Sequence, residues 1–425
     1  MNKFNTNNQR VFAKGISVSN NSRQTGLNNN DLIIGPSGAG KTTGYVIPNI
    51  NQHYGSYIIA DTKGNLARTL TPSLEEAGYN VQTLDFVNLK QSCRFNPLDY
   101  IRWDGKTYNE QDVIKIASVL CPVKSQKDPF WEETAQMVIA SLICFVLEAF
   151  PRKEQDLVTV SKLFKLMNDK NMEKLFLSLE LKNPNSLAVK LFKSYSHGAN
   201  SEKTWSCILM FLSRALRIFE LNGAEKISRD EVNTFSFEEI GTKPSALFVN
   251  VSDTDRSMDA LANVFYYQAF QQLCSIADRN ADSRLKVPVQ IILDDFATNV
   301  FIPDFDKTIS VIRSREISAC LIIQSISQLF SLYDKNAGNT ILNNCDHILY
   351  LGGQDLDTAD LISARVNLSR ETVLSMPINK AYFLERGSKC SLVDKIRPFA
   401  NTSDNAKESH EKETECCAPT LDIGA

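Results

Sequence analysis

Gly35-Pro-Ser-Gly-Ala-Gly-Lys-Thr42 is the stretch that decides the fold. It fits G-x-x-x-x-G-K-[ST], the pattern of a loop that cradles phosphate. Gly35, Gly38 and Gly40 are expected to take positive φ and turn backbone N–H groups toward one concave point. Lys41 brings a positive charge for the β- and γ-phosphates, and Thr42 a hydroxyl for Mg2+. The candidate nucleotide-binding residues are therefore Gly35, Pro36, Ser37, Gly38, Ala39, Gly40, Lys41, Thr42 and Thr43. The flanks agree with this. Asp31-Leu-Ile-Ile34 is a short apolar run that reads as a strand feeding the loop. A helix starting near Thr43 points its N-terminus at the anion, and Pro48 limits or kinks it. The alternative is a Gly-rich surface turn, and the strand–loop–helix context argues against it.

A second stretch complements the first. Ile291-Ile-Leu-Asp-Asp295 is an apolar strand ending in acids. Such a strand presents a carboxylate at the sheet edge, where it can hold Mg2+. Asp294 is assigned that role, with Thr42, and Asp295 is assigned the polarisation of attacking water. Alone, the pattern also suits an acid capping a turn. The next strand, Ala319–Ile323, ends in Gln324, which either senses the γ-phosphate and positions water or satisfies a loop as a strand-end amide. A strand at 56–61 or 246–251 lies between the two elements in sequence, as in motor-type ATPases with this loop. Arg313 and Arg315 are candidates for an arginine that acts on a neighbouring subunit's phosphates, Arg315 slightly ahead; a surface ion pair is the other reading. Asp61 and Lys63 follow the strand Ser56–Asp61 and either border the site or cap the helix that begins near Asn65. No guanine-reading Asn/Thr-Lys-x-Asp motif is present, which favours ATP.

Composition narrows the class. At 425 residues with 43% apolar and 22% charged residues, the chain can bury the cores of two or three domains. A net charge of −3 does not by itself announce nucleic acid or anionic lipid, so any such contact must be local. The ten cysteines form no CxxC pair, and the four histidines show no metal spacing. Free thiols are expected rather than disulfides or a zinc site. The most apolar stretch, Met137–Leu147, is too short to span a bilayer, so no membrane segment is expected.

Along the chain, residues 1–24 are Asn-rich and basic without an acid, and read as a loose lead-in or as a contact with phosphate or a partner. Strand and helix alternate over 25–104. From 105 to 225 helical spacing takes over: Asp128 is expected to cap a helix with Pro129 at its first position, a buried run follows to Phe150, and further helices continue to Leu221. The alternating pattern resumes over 226–400. Residues 401–425 carry six acids against two lysines and read as a disordered tail.

These stretches together resemble the type IV secretion coupling proteins. The resemblance covers about residues 25–395 and rests on the loop at 35–42, Asp61-Thr-Lys-Gly64, Phe95-Asn-Pro-Leu-Asp-Tyr100, Asp128-Pro-Phe-Trp131, Leu293-Asp-Asp-Phe-Ala297, Ile302-Pro-Asp-Phe305, Ile312–Ile317, Gln324–Leu329, Asn344-Cys-Asp346 and Leu351-Gly-Gly353. It is similar in particular to the branch from conjugative elements of Gram-positive bacteria. The resemblance implies an α/β fold: a RecA-like P-loop NTPase motor domain of three layers around a mostly parallel sheet, with an all-helical domain inserted. It implies ATP and Mg2+ as cofactors and hydrolysis coupled to delivery of single-stranded DNA, with a relaxase, to a secretion channel. It also implies a homo-hexamer when active (a monomer when isolated) and recruitment from the cytoplasm to the inner face of the membrane. Two departures stand out. Asp295 replaces the family's usual Glu, which withdraws the carboxylate by about 1–1.5 Å, and the transmembrane helices usual at the family's N-terminus are not seen. The other readings are a nucleotide-switched assembly protein with little turnover and a septal or viral-type translocase.

Overall fold

The computed structural model describes residues 8–123, 128–166, 171–198, 202–229, 233–296 and 300–396. The disordered tail expected at 401–425, with Cys416 and Cys417, lies outside them. The strands are β1 (Gln9–Ala13), β2 (Ile16–Ser19), β3 (Asp31–Ile34), β4 (Ser56–Ala60), β5 (Asn80–Asp85), β6 (Trp103–Asp104), β7 (Thr107–Tyr108), β8 (Ser245–Asn250), β9 (Val289–Leu293), β10 (Ile317–Ile323), β11 (His347–Tyr350), β12 (Lys380–Glu385) and β13 (Ser391–Asp394). Nine of them form one sheet, ordered β13-β12-β11-β3-β10-β9-β4-β8-β5. From β11 to β5 all neighbours are parallel, and β12 and β13 close one side antiparallel.

The sheet is covered on both faces because its strands are apolar on both faces. Leu32, Ile34, Ile58 and Leu293 point into one core. Ile33, Tyr57, Ile59 and Ile292 point into the other. The second core is closed by the helix Asn65–Glu76, which buries Leu66, Leu70 and Leu74 at helical spacing and tolerates Pro72 within its length. The first is closed by the helix Asp259–Arg279 and by the helices between β9 and β11. The chain is thus a three-layer α/β protein.

Between β5 and β8 the chain is mainly helical: Glu110–Leu120, Phe130–Ala149, Leu157–Phe164, Asn171–Lys182, Leu187–Gly198 and Glu202–Leu216. Phe130–Ala149 is the hub, packed against all five of the others. Among the described residues it alone is long and apolar enough to cross a bilayer, and 67% of that stretch is buried in the protein. Its start differs from expectation. Pro129, not Asp128, is the cap residue, and the Asp128 carboxylate instead accepts the Trp131 indole N–H at 3.1 Å.

The lead-in also departs from expectation over its described part. Residues 9–19 form a hairpin, with Phe12 and Ala13 in the core and Arg10 only 4% exposed. The polar composition misled because the buried charge is neutralised: Arg10 Nε donates to Asp31 Oδ2 at 2.7 Å. The eight cysteines among the described residues are free thiols.

One turn fixes the entry to β4. Gly55 has φ +74°, and a Cβ there would lie 2.4 Å from the Pro288 carbonyl oxygen. Gly55→Ala is expected to destabilise the protein by about 1–3 kcal/mol, read as a lower urea midpoint with the slope unchanged.

Candidate functional site

The loop Gly35–Lys41 leaves the end of β3 and is tied to the neighbouring strand, Gly35 N–H donating to Ile323 O at 3.1 Å. Gly38 and Gly40 take φ +78° and +90°, as expected of residues that turn amides inward. Gly35 does not have positive φ. It is required for space: a Cβ there would sit 2.9 Å from Leu351 Cβ and 3.0 Å from Ala39 Cβ. Leu351-Gly-Gly353, which the sequence offered only as part of a resemblance, therefore forms the wall against which the loop is packed.

After the loop the helix opens as a π-turn, Thr42–Val46, and continues as Ile47–Ile50 with Pro48 in its first turn. Lys41 is 8% exposed and reaches back across the loop, its Nζ donating to Gly35 O (2.8 Å) and Pro36 O (3.0 Å). Burial pushes its pKa down, and Asp295 and Asp294 oppose the shift. Thr42 Oγ1 donates to Asp294 Oδ2 at 2.9 Å, joining residues 252 apart in sequence. Asp294 is buried. Burial first, then the neighbouring Asp295, raise its pKa, while the Thr42 bond and Lys41 pull it down. Asp295 has φ +52° and donates its N–H to Asp294 Oδ1 at 3.1 Å. An aspartate tolerates this left-handed conformation better than a branched residue does.

Gln324 joins the same group, its Nε2 3.5 Å from Asp295 Oδ1. The sheet order explains its place. The strand between β3 and β9 is β10, which follows Asp294 in sequence; neither 56–61 nor 246–251 separates them. Asp61 lies at the end of β4, on the far side of β9, and its carboxylate accepts the Ala67 N–H at 2.8 Å. It satisfies one N–H in the first turn of the following helix, whose cap residue is Gly64, and Lys63 is exposed.

Arg313 and Arg315 are not brought to the loop of their own chain. They precede β10, whereas Gln324 follows it. The seven residues of β10 separate the two edges by about 20 Å. Arg315 is ion-paired, its Nε and Nη2 donating to the Asp278 carboxylate at 2.8 and 3.1 Å. Among the described residues Arg313 has no ion pair, and its Nη2 donates to a carbonyl, Ser22 O, at 3.2 Å.

The donor set suits Mg2+ and a polyphosphate. A hydroxyl and a carboxylate converge at one point, and Mg2+ fills the rest of its shell with water and phosphate oxygens. The buried ammonium and the turned amides of the loop match phosphate oxygens.

The parallel sheet, loop and strand-end acid define the chain as a RecA-like P-loop NTPase fold. Its sequence matches, over residues 1–386, the family described as type IV secretory system conjugative DNA transfer, and the chain belongs to that family. Protein VirD4 of Rhizobium radiobacter is 25% identical over 353 residues, covering 79% of this chain and 47% of that protein. VirD4 of Agrobacterium fabrum is 25% identical over the same length, covering 79% and 49%. The chain thus spans about half the length of these curated relatives. The bacterial conjugative coupling protein TrwB, without its first 70 residues, shares the fold at a TM-score of 0.68 and 15% identity, covering 92% of this chain and 88% of that one. VirB4 of Thermoanaerobacter pseudethanolicus superposes at 0.53 with 15% identity, covering 87% and 90%.

The raised Asp294 pKa has a sign that can be checked. The unfolded carboxyl titrates near 3.8 and the folded one higher, so the folded chain takes up the proton first. This group's contribution to stability therefore grows as pH falls through the folded value, and is unfavourable above it. Asp294→Asn is expected to raise the thermal midpoint at neutral pH by a few degrees and to remove that part of the pH dependence, as scanning calorimetry from below pH 3.8 up to neutral pH would show.

Proposed function

We propose that this chain is the ATPase of a type IV secretion or conjugation system, coupling hydrolysis to delivery of single-stranded DNA with its relaxase. The observation that carries this reading is the 2.9 Å contact between Thr42 and Asp294 beside the buried Lys41, in a chain of the conjugative DNA transfer family. TrwB, which shares the fold, has been solved with ADP and Mg2+ and with a non-hydrolysable ATP analogue.

In this reading Lys41 and the amides of Gly38–Thr42 hold the phosphates. Thr42 and Asp294 hold Mg2+, which neutralises charge developing on the phosphoryl oxygens. Asp295 takes the proton of the attacking water, and Gln324, in contact with Asp295, orients it. Arg313 stabilises the transferring phosphoryl of a neighbouring subunit in a hexameric ring. It is preferred over Arg315, whose guanidinium is held by Asp278. Residues 25–104 and 226–400 form the motor domain. The helical insertion at 105–225 meets the DNA-processing complex. The protein works at the cytoplasmic face of the membrane beside its channel proteins.

A second reading, a nucleotide-switched assembly protein with little turnover, is favoured by one observation: the short Asp295 side chain where the family usually has Glu. Purified protein with Mg2+ and single-stranded DNA separates the two. DNA-stimulated hydrolysis is expected, lost by about 100-fold or more in Lys41→Ala and in Arg313→Ala, and reduced far less in Arg315→Ala. Nucleotide-dependent oligomers without turnover would favour the switch. Full activity in Lys41→Ala would remove the site from consideration, and stronger stimulation by duplex DNA would point to a duplex translocase.

A further inference from the structure

The N-terminal hairpin is bonded into the helix that leaves the phosphate loop. The Asn49 side chain meets the backbone of β1 as a neighbouring strand would, Oδ1 accepting Val11 N–H and Nδ2 donating to Val11 O, each at 2.8 Å. Its Nδ2 also donates to Tyr45 O at 2.8 Å. One turn earlier, Tyr45 OH donates to Asp31 Oδ2 at 2.5 Å, the same oxygen that takes Arg10 Nε. His347 Nδ1 completes the group, 3.3 Å from Asp31 Oδ1. These side chains are at most 4% exposed. Burial works against the Asp31 carboxylate, yet Arg10, His347 and Tyr45 together hold its pKa below the ordinary value.

Tyr45 belongs to the same π-turn as Thr42, and the turn is closed by Ile47 N–H donating to Thr42 O. A π-turn is an irregular insertion in a helix and is found mostly where function needs it. Here it lets two residues three apart serve opposite purposes: Thr42 faces Asp294, while Tyr45 faces Asp31 on the hairpin side. A regular α-turn would set positions i and i+3 on one face.

We propose that Tyr45 and Asn49 are positioning residues for Thr42: Asn49 fastens the helix to Val11 of β1, Tyr45 fastens the π-turn to the Asp31 carboxylate that Arg10 of β1 shares, and together they hold the Thr42 hydroxyl at Asp294, so the hairpin and the Mg2+–nucleotide site stabilise one another. This rests on the reading of Gly35–Thr42 as a nucleotide site. The coupling is reciprocal by thermodynamic necessity. Nucleotide with Mg2+ tightens the hairpin, and loss of a hairpin bond weakens Mg2+–nucleotide binding.

Two measurements on the full chain test it. The first is amide hydrogen exchange of wild-type protein with and without Mg2+ and a non-hydrolysable ATP analogue. Exchange at Val11 and Phe12 is expected to slow by about five- to tenfold when both are present, and by less with the analogue in EDTA. The second is the kinetics of Tyr45→Phe, which keeps the ring and leaves Asp31 bonded to Arg10. Its KM for Mg–ATP is expected to rise about five- to tenfold with kcat within about twofold, and excess Mg2+ is expected to restore the rate. A purely structural role would lower the melting temperature without this split. Unchanged KM in Tyr45→Phe, or hairpin exchange indifferent to the analogue while the loop amides 38–42 become protected, overturns the coupling alone. Absence of protection at the loop itself overturns the nucleotide site and the coupling with it.

Discussion

The parallel register of β3, β10 and β9 is the constraint on which the site depends. Ile34 is level with Ile323, and Leu293 with Leu321. The loop therefore starts two strand positions, about 6.6 Å, above the last residue of β9, and Thr42 closes that step by reaching back to Asp294. Apolar pattern alone does not set this register. Strands buried on both faces gain nothing from a particular alternation, so a slip of one residue would trade one apolar face for another. Polar groups at the strand ends set it instead. Asn30, 1% exposed and just before β3, accepts Ala319 N–H from β10 at 2.9 Å and donates to Asn344 O ahead of β11 at 3.0 Å. At the other end Gly35 N–H donates to Ile323 O. The central strands are pinned at both ends by groups that tolerate no slip.

The loop and Asp294 were legible in the sequence because their chemistry is local. Eight consecutive residues carry the candidate phosphate loop, and an apolar run ending in an acid places the carboxylate. What the sequence hid is non-local. The hairpin at 9–19 was obscured because Arg10 reads as a solvated charge until Asp31, 21 positions away, is seen against it. Gly35 reads as a residue needing positive φ until Leu351 is seen filling the space where a Cβ would go. Arg315 and Arg313 look alike in sequence, and only the fold shows that Asp278, 37 residues earlier, holds the first. Gln324 was readable as a strand end but not as a neighbour of Asp295, because adjacency within a parallel sheet follows the crossover order and not the chain order.

The same local economy carries a cost at the site. Asp294 and Asp295 are successive carboxylates with Lys41 as the ammonium beside them, and burial disfavours both the Lys41 cation and the Asp294 anion. Asp295 adds a left-handed backbone conformation. None of this stabilises the fold. It leaves a surplus of negative charge where a divalent cation fits, which is the expected signature of a site optimised for a ligand at the expense of the apo chain.

Geometry also bears on assembly. The loop Gly35–Thr42 lies at the carboxyl ends of the parallel strands and Arg313 before the start of β10, so the two are on opposite edges of one sheet. No side-chain rotation spans a separation of about 20 Å, and an arginine side chain extends only a few covalent bonds. If Arg313 acts on phosphate at all, it acts on another copy. A contact that pairs one edge with the opposite edge of the next copy is heterologous, and such contacts either run on as filaments or close as rings. A two-fold contact pairs residue i with j and j with i, so it completes the sites only where one self-complementary patch spans both edges. The position of Arg313 thus sets a condition on assembly before any partner is considered: a closed ring serves every site through a single edge-to-edge contact, whereas an isologous pair must bury the full height of the sheet to serve its two.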